Sequence, residues 1–304
     1  VDISGTVAII GAPNEDTTSN DSGAAYIFQR NTNGEWTETQ ILKASNVGSS
    51  DKFGYSVAMN GDYAIVGALN EVEGKINNGA AYIFKRDTNG TWSETQILRA
   101  SNMSDYSYFG WSVAMSSNYA IVGAYNESTI ATNSGTAYIF ERDTNGTWSE
   151  TQILKASNAA NGERFGWSVA IDNNNAIIGA TYQDNEVGAA YIFKRDTNGN
   201  WGTAVSGQSY YNETQMIKPS NTANQWRFGI AVNIEGDYAI VGEENVSQKG
   251  AAYIFKRNSN GVWEEKKQIL PIQRTNYDVF GFKVLIIGDY AYIGANGGSG
   301  KVYI

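Results

Sequence analysis

The sequence of 304 residues has no cysteine and no histidine, and only three prolines. The missing thiols and imidazoles exclude disulfide staples, thiol nucleophiles, Ser-His and Cys-His catalytic pairs and the usual zinc ligands. Positive charge is sparse: 22 Lys and Arg stand against 31 Asp and Glu, a formal charge of -9. With no run of five or six Lys/Arg, neither nucleic acid nor anionic lipid is expected as a partner. No apolar run approaches the roughly 18 to 20 residues of a membrane helix. The densest, from Val284 to Ala295, is broken by Gly288 and Asp289, so no membrane insertion is expected. The chain starts at Val1 without Met or a charged segment leading into an apolar one, so any signal peptide is expected upstream or already removed.

What fills the sequence instead is repetition. Phe-Gly occurs at Phe53, Phe109, Phe165, Phe228 and Phe280, at spacings of 56, 56, 63 and 52 residues. An apolar run ending in Gly-Ala appears at Gly11, Gly67, Gly123, Gly179 and Gly294, and at Gly242 with Glu243 in place of Ala. GAAYIF or a near copy starts at Gly23, Gly79, Gly135, Gly188 and Gly250, and the sequence ends inside GKVYI. WTETQIL recurs at Trp36, Trp92 and Trp148, and more loosely at Trp201 and Trp263.

Each period therefore holds four short β-type runs separated by Gly, Asn, Asp and Ser, with no helical periodicity. Four strands per repeat is the pattern of a propeller blade. Asn60-Gly61 between the first two runs reads as a type I′ hairpin turn, and Asn-Gly recurs in DTNGTW (Asp87 to Trp92) between the third and fourth. In the first run, Gly54, Ser56 and Ala58 put small residues on one face, which suits an innermost strand. AIVGA and AAYIF are apolar throughout, as strands covered on both faces should be. TETQIL interleaves Glu38 and Gln40 with Thr39 and Ile41, the half-solvated pattern of a rim. A β-helix would have shorter coils, and two β-sandwiches would not repeat at 56.

The expected fold is all-β: a six-bladed β-propeller of four-stranded antiparallel blades, in one domain over 1–304. Its blades run roughly over 1–46, 47–102, 103–158, 159–221, 222–273 and 274–304. The first copy lacks the residues matching Phe53 to Ser56, and the last has no fourth strand. Lys301, Val302, Tyr303 and Ile304 would then form an open edge, a hazard that propellers cover. The expectation is that a segment upstream of Val1 fills it, in cis or from a neighbouring molecule; the second option gives a head-to-tail polymer. Seven blades remain the alternative if the upstream sequence is long.

The pairing of Phe-Gly with a downstream Gly-Ala-Pro, complete at Gly11-Ala12-Pro13, resembles the FG-GAP repeat of the integrin α-subunit propeller and of many secreted or surface proteins. The resemblance covers essentially the whole chain. It implies an extracellular or cell-surface adhesion, ligand-binding or structural module, by analogy of fold. Integrin-type repeats often carry an Asp-x-Asp-x-Asp-Gly calcium loop between the first two strands. Here the connections are NGD (Asn60 to Asp62), SSN (Ser116 to Asn118), DNNN (Asp172 to Asn175), EGD (Glu235 to Asp237) and IGD (Ile287 to Asp289), too short and too poor in carboxylates for six to eight oxygens.

The loops between the second and third runs begin with polar clusters: Asn14, Glu15 and Asp16; Asn70 and Glu71; Asn126 and Glu127; Asp184, Asn185 and Glu186; Glu243, Glu244 and Asn245. Together they are candidate ligand-binding residues for calcium or sugar hydroxyls. The plainer reading is that Asn and Asp cap strand ends while Glu is solvated. Tyr55, Trp111 and Trp167, with Ile230 and Phe282 in altered form, follow Phe-Gly; they either stack on sugars or pack between blades. Asn-x-Ser/Thr sequons stand at Asn20, Asn89, Asn102, Asn126, Asn145, Asn212 and Asn245, mostly in expected turns and loops. The 63-residue spacing reflects an insertion at Gly202 to Tyr211, either a surface loop or a partner loop anchored by Tyr210 and Tyr211.

The expected function is non-catalytic: a glycosylated extracellular propeller for adhesion or structure, self-associating through the incomplete last blade into filaments. The alternative is a lectin-like or calcium-dependent propeller with a carbohydrate ligand. No enzyme is expected, because no isolated pair of carboxylates stands out from the repeats. No cofactor is expected unless calcium binds the acidic loops.

Overall fold

The structure is a computed structural model that describes residues 1–102, 104–221, 226–244, 250–271, 279–296 and 300–304. Among these the strands assemble into six sheets, the blades of an all-β propeller. The first blade is β1 (Asp2–Ser4), β2 (Val7–Ala12), β3 (Ala24–Arg30) and β4 (Trp36–Leu42). The second is β5 (Phe53–Asn60), β6 (Tyr63–Ala68), β7 (Ala80–Arg86) and β8 (Trp92–Leu98). The third is β9 (Ser112–Ser116), β10 (Tyr119–Ala124), β11 (Thr136–Arg142) and β12 (Trp148–Lys155).

In the fourth, β13 (Phe165–Asp172) and β14 (Asn175–Ala180) are followed by one helical turn, α1 (Gln183–Glu186), and by β15 (Ala189–Lys194). Two short strands, β16 (Thr203–Ala204) and β17 (Tyr210–Asn212), precede its outer strand β18 (Gln215–Ile217). The fifth blade is β19 (Phe228–Glu235), β20 (Tyr238–Glu243), β21 (Ala251–Arg257) and β22 (Trp263–Ile269). The sixth has three strands, β23 (Phe280–Ile287), β24 (Tyr290–Ala295) and β25 (Lys301–Tyr303). The backbone groups into two compact units, Val1–Glu127 with Tyr138–Thr151, and Ser128–Ala137 with Gln152–Ile304.

The two halves of the Phe-Gly motif do separate work. In the first unit the Phe53 ring meets Tyr82 and Phe84 of its own blade edge-on, at 5.2 and 6.0 Å. In the second, Phe228 meets Tyr253 and Phe255 in the same way, at 5.4 and 6.1 Å. Such edge-to-face pairs add to the burial each ring already gains. The glycine faces the previous blade. Gly54 sits in a bulge at φ +87°, and a Cβ there would lie 2.1 Å from the Ala24 carbonyl oxygen. Only glycine lets two backbones approach so closely while holding that φ.

The hairpin between β5 and β6 departs from the type I′ expectation. Asn60 pairs with Tyr63, so Asn60 ends the strand and the two loop residues are Gly61 and Asp62. Only Gly61 has positive φ, at +59°. Glycine at the first central position with an ordinary second residue is the type II′ pattern, which matches strand twist equally well. The longer loops between third and fourth strands are set by their first residue. Asp87 Oδ1 accepts from the N–H groups of Asn89 and Thr91, both at 2.9 Å, and Asp143 repeats the arrangement with Asn145 and Thr147.

The insertion at 202–211 does not stand out as a free loop. Its β16 and β17 form a hairpin, and β17 runs parallel to β12, with Ile153 opposite Tyr210 and Leu154 opposite Tyr211. Both tyrosines are half-buried, because the hairpin covers the outer edge of β12.

Candidate functional site

The polar clusters after the second strands are tied into the blades. In the first unit, Lys43, just past β4, pairs with Glu15. That ammonium and the Thr17 contacts hold the Glu15 carboxyl far below the usual range, at about 2. Arg99, just past β8, reaches Glu71 Oε1 at 2.6 Å, and the same oxygen accepts from Asn46 Nδ2 at 2.8 Å. Asn46 Oδ1 in turn accepts from the buried Tyr82 hydroxyl at 2.8 Å. Glu71 and Glu127 are only 2% and 1% exposed. The amides are engaged as well: Asn14 Oδ1 accepts from Lys52 at 2.8 Å, and Asn70 and Asn126 donate to the carbonyls of Ser50 and Tyr106. Asp16 accepts from the N–H of Asp21.

In the second unit, Asp184 and Glu186 lie with Asn185 in α1. Asp184 pairs with Lys218, just past β18, while Glu186 and Glu244 approach Arg227 at 3.5 and 3.6 Å. Asp184, Glu186 and Tyr182 line a shallow groove of about 440 Å³ with the buried Glu163. Burial, reinforced by the charge of Asp184, raises the Glu163 carboxyl. Among the described residues no three Asp or Glu are placed to hold a metal ion. Asn245 lies outside the described residues.

Glu243 breaks the repeat, standing where other blades have alanine. It is 2% exposed, and burial pushes its carboxyl up to about 7. The Tyr253 hydroxyl lies 2.8 Å from Glu243 Oε2, 3.1 Å from Asn221 Oδ1 and 3.0 Å from Gln268 Nε2. One hydroxyl proton cannot serve both acceptors, so a protonated Glu243 donating to Tyr253 completes the network. The cation that follows the fourth strand elsewhere, at Lys43, Arg99, Lys155 and Lys218, is here Leu270.

The aromatic residues after Phe-Gly pack into ring clusters. In the first unit Tyr55 packs on Trp111 at 4.7 Å, Trp111 on Tyr125 at 4.5 Å, and Tyr125 on Tyr108 at 5.6 Å. Tyr55 stays 39% exposed. In the second unit Arg164 lies over the rings of Trp167, at 5.6 Å, and Tyr182, at 3.9 Å, and Arg227 lies 5.0 Å from the same Tyr182 ring. Ile230 is buried and Phe282 half-buried, so neither extends these clusters into solvent.

Of the sequons, Asn20, Asn89 and Asn145 are exposed on loops. Asn102 accepts from the Tyr138 hydroxyl, Asn126 is bonded as above, and Asn212 is a β17 residue whose Oδ1 is buried. At the last blade, Lys301 and Val302 face solvent on the outermost strand, while Tyr303 packs on Phe280 at 5.1 Å.

The rim strands hold the feature that the half-solvated reading of TETQIL passes over. Gln40 Nε2 donates to the Trp92 carbonyl at 2.6 Å, and Gln40 Oε1 accepts from the Trp92 N–H at 2.8 Å. The amide thus grips the backbone of the next blade. The unvaried Gln in four successive copies was its signal.

The FG-GAP repeat profile matches residues 1–28, 36–84, 92–140, 148–193 and 211–255. No curated protein matches the chain. Among solved structures, a protein from Lactobacillus plantarum superposes with a TM-score of 0.57 at 12% identity, covering 98% of this chain and 80% of that one. That likeness concerns the fold. With five matched copies spread across most of its length, the chain belongs to the FG-GAP repeat family.

Proposed function

We propose that the protein is a non-catalytic, extracellular or cell-surface propeller serving as an adhesive or structural module, and that it associates with protein through the outer edge of its last blade. The observation that carries this reading is the state of β25. Val302 is 69% exposed, whereas Ala252, at the same position of the fifth blade, is 0% exposed beneath β22. An uncovered apolar strand edge is a template for pairing with another chain. Two further features support it. Glu15, Glu71 and Asp184 are paired with Lys or Arg of the same unit, and three sequons sit on exposed loops, where glycans suit a surface protein.

The test is native mass measurement and electron microscopy across a concentration series, on the wild type and on Val302→Lys. Oligomers or filaments that disappear in the variant support the reading. A monomer at every concentration overturns self-association.

A lectin-like role is the second reading, favoured by the cluster of partly exposed rings of Tyr55, Trp111 and Tyr125. Glycan-array binding lost in Tyr55→Ala would establish it, and loss of that binding on chelation would bring in calcium.

A further inference from the structure

The clamp between Gln40 and Trp92 is one of a series. Gln96 holds both backbone groups of Trp148 at 2.6 and 2.8 Å, and Gln215 holds those of Trp263, both at 2.8 Å. Gln152 accepts from the Trp201 N–H at 2.7 Å. Five residues after each glutamine, a serine adds a second hold. Ser45 donates from its N–H and its Oγ to the two carboxylate oxygens of Glu94, at 2.9 and 2.7 Å. Ser101 does so to Glu150, Ser157 to Glu213 and Ser220 to Glu265.

In the first four blades the rim thus has an outgoing half, Gln with Ser, that meets an incoming half on the next blade, a Trp backbone with the Glu that follows it. The incoming half of β4 is open. Trp36 is 41% exposed, against 3%, 2%, 0% and 4% for Trp92, Trp148, Trp201 and Trp263. Glu38 is exposed and has no hydrogen-bond or ionic partner among the described residues. Among the described residues no outgoing half is spare. All four clamp glutamines are engaged, and in β22 Lys267 sits opposite Ile254, where Gln40 sits opposite Ile27.

We propose that β4 is a docking face for an extended polypeptide segment from outside these residues, carrying the pattern Gln, apolar, Leu or Ile, Lys or Arg, Ala or Pro, Ser. The glutamine grips the N–H and C=O of Trp36, and the serine caps Glu38. The leucine covers the indole, as Leu42 shares a buried cluster with Trp92. The basic residue is not part of the recognition, since Lys43 and Arg99 turn back to Glu15 and Glu71 of their own blades. The inference stands on the first blade alone and would survive failure of self-association through β25.

The probe is a synthetic peptide with the sequence of residues 149–157, labelled with a fluorophore and titrated against the whole protein. Saturable binding is expected. It should weaken about tenfold when the peptide carries Gln152→Ala, since two hydrogen bonds to the Trp36 backbone are lost. Ser157→Ala should weaken it less, and Lys155→Ala should leave it unchanged. On the protein side, Trp36→Ala and Glu38→Ala alter exposed residues and should reduce affinity while the fold is kept. No saturable binding up to about 1 mM peptide overturns the proposal. So does equal binding by the Gln152→Ala peptide, or binding indifferent to Trp36 and Glu38.

Discussion

Gly11 of the first blade and Gly54 of the second touch backbone to backbone, so that a Cβ on Gly11 would lie 1.9 Å from the Gly54 carbonyl oxygen. The same contact recurs between Gly67 and Gly110, at 2.1 Å, and in the second unit between Gly179 and Gly229, at 2.1 Å. The Gly-Ala and Phe-Gly signatures are therefore two sides of one interface between neighbouring blades. Gly11→Ala should destabilise the protein by about 3 kcal/mol, because the clash is with backbone and cannot be relieved by a rotamer change. Gly61→Ala, at a turn with nothing within 4 Å, should cost about 1 kcal/mol from its positive φ alone. Denaturant unfolding of the two variants checks the difference.

Gln96→Ala removes both bonds to Trp148 and leaves a largely buried N–H and C=O without partners. The expected loss is about 2 kcal/mol. Trp148→Phe keeps the clamp and loses only indole packing, so the double variant should be destabilised by about the sum of the singles. A double-mutant cycle by chemical denaturation reads the coupling directly.

The buried Glu243 should make the protein less stable as pH rises. Its carboxyl titrates near 7 in the folded chain and at the ordinary 4.5 when unfolded. The folded form therefore keeps a proton that the unfolded form releases between those values. Stability should fall from about pH 5 to about pH 7.5, by on the order of 2 to 3 kcal/mol. Glu243→Gln keeps a donor toward Tyr253 without a titrating carboxyl and should flatten that slope. Glu15 works in the opposite sense: held near 2 by Lys43, it contributes stability above 4.5 that is lost as pH falls through about 2. Thermal unfolding of the wild type and Glu243→Gln at several pH values separates the two.

If the protein is glycosylated in its source or in a competent host, occupancy should concentrate on Asn20, Asn89 and Asn145. Asn102, Asn126 and Asn212 should stay bare once folded, since their side chains are engaged or buried. Peptide mass mapping after enzymatic deglycosylation distinguishes the two groups.

The blades were legible in the sequence because Phe53, Gly54 and Gly67 serve roles that every copy must repeat, and repetition exposes them. Asn60-Gly61 located its hairpin but misassigned the turn by one residue, since an Asn-Gly pair also fits a strand end followed by glycine. The role of Gln40 was hidden for a different reason. Its partner is the backbone of Trp92, 52 residues on, and a backbone leaves no companion pattern in the side chains. Glu243 reads in the sequence as a lapse in Gly-Ala and as a candidate ligand-binding carboxylate, because burial at a strand end cannot be read from one residue.

The clamp also bears on how such a chain can change over generations. Because glutamine addresses the N–H and C=O of the next repeat, no substitution at Trp92, short of proline, can delete what it recognises. The glutamine itself has no such freedom. Each junction therefore has one side exposed to selection and one side indifferent to it, and a newly duplicated repeat would arrive with its receiving surface already in working order.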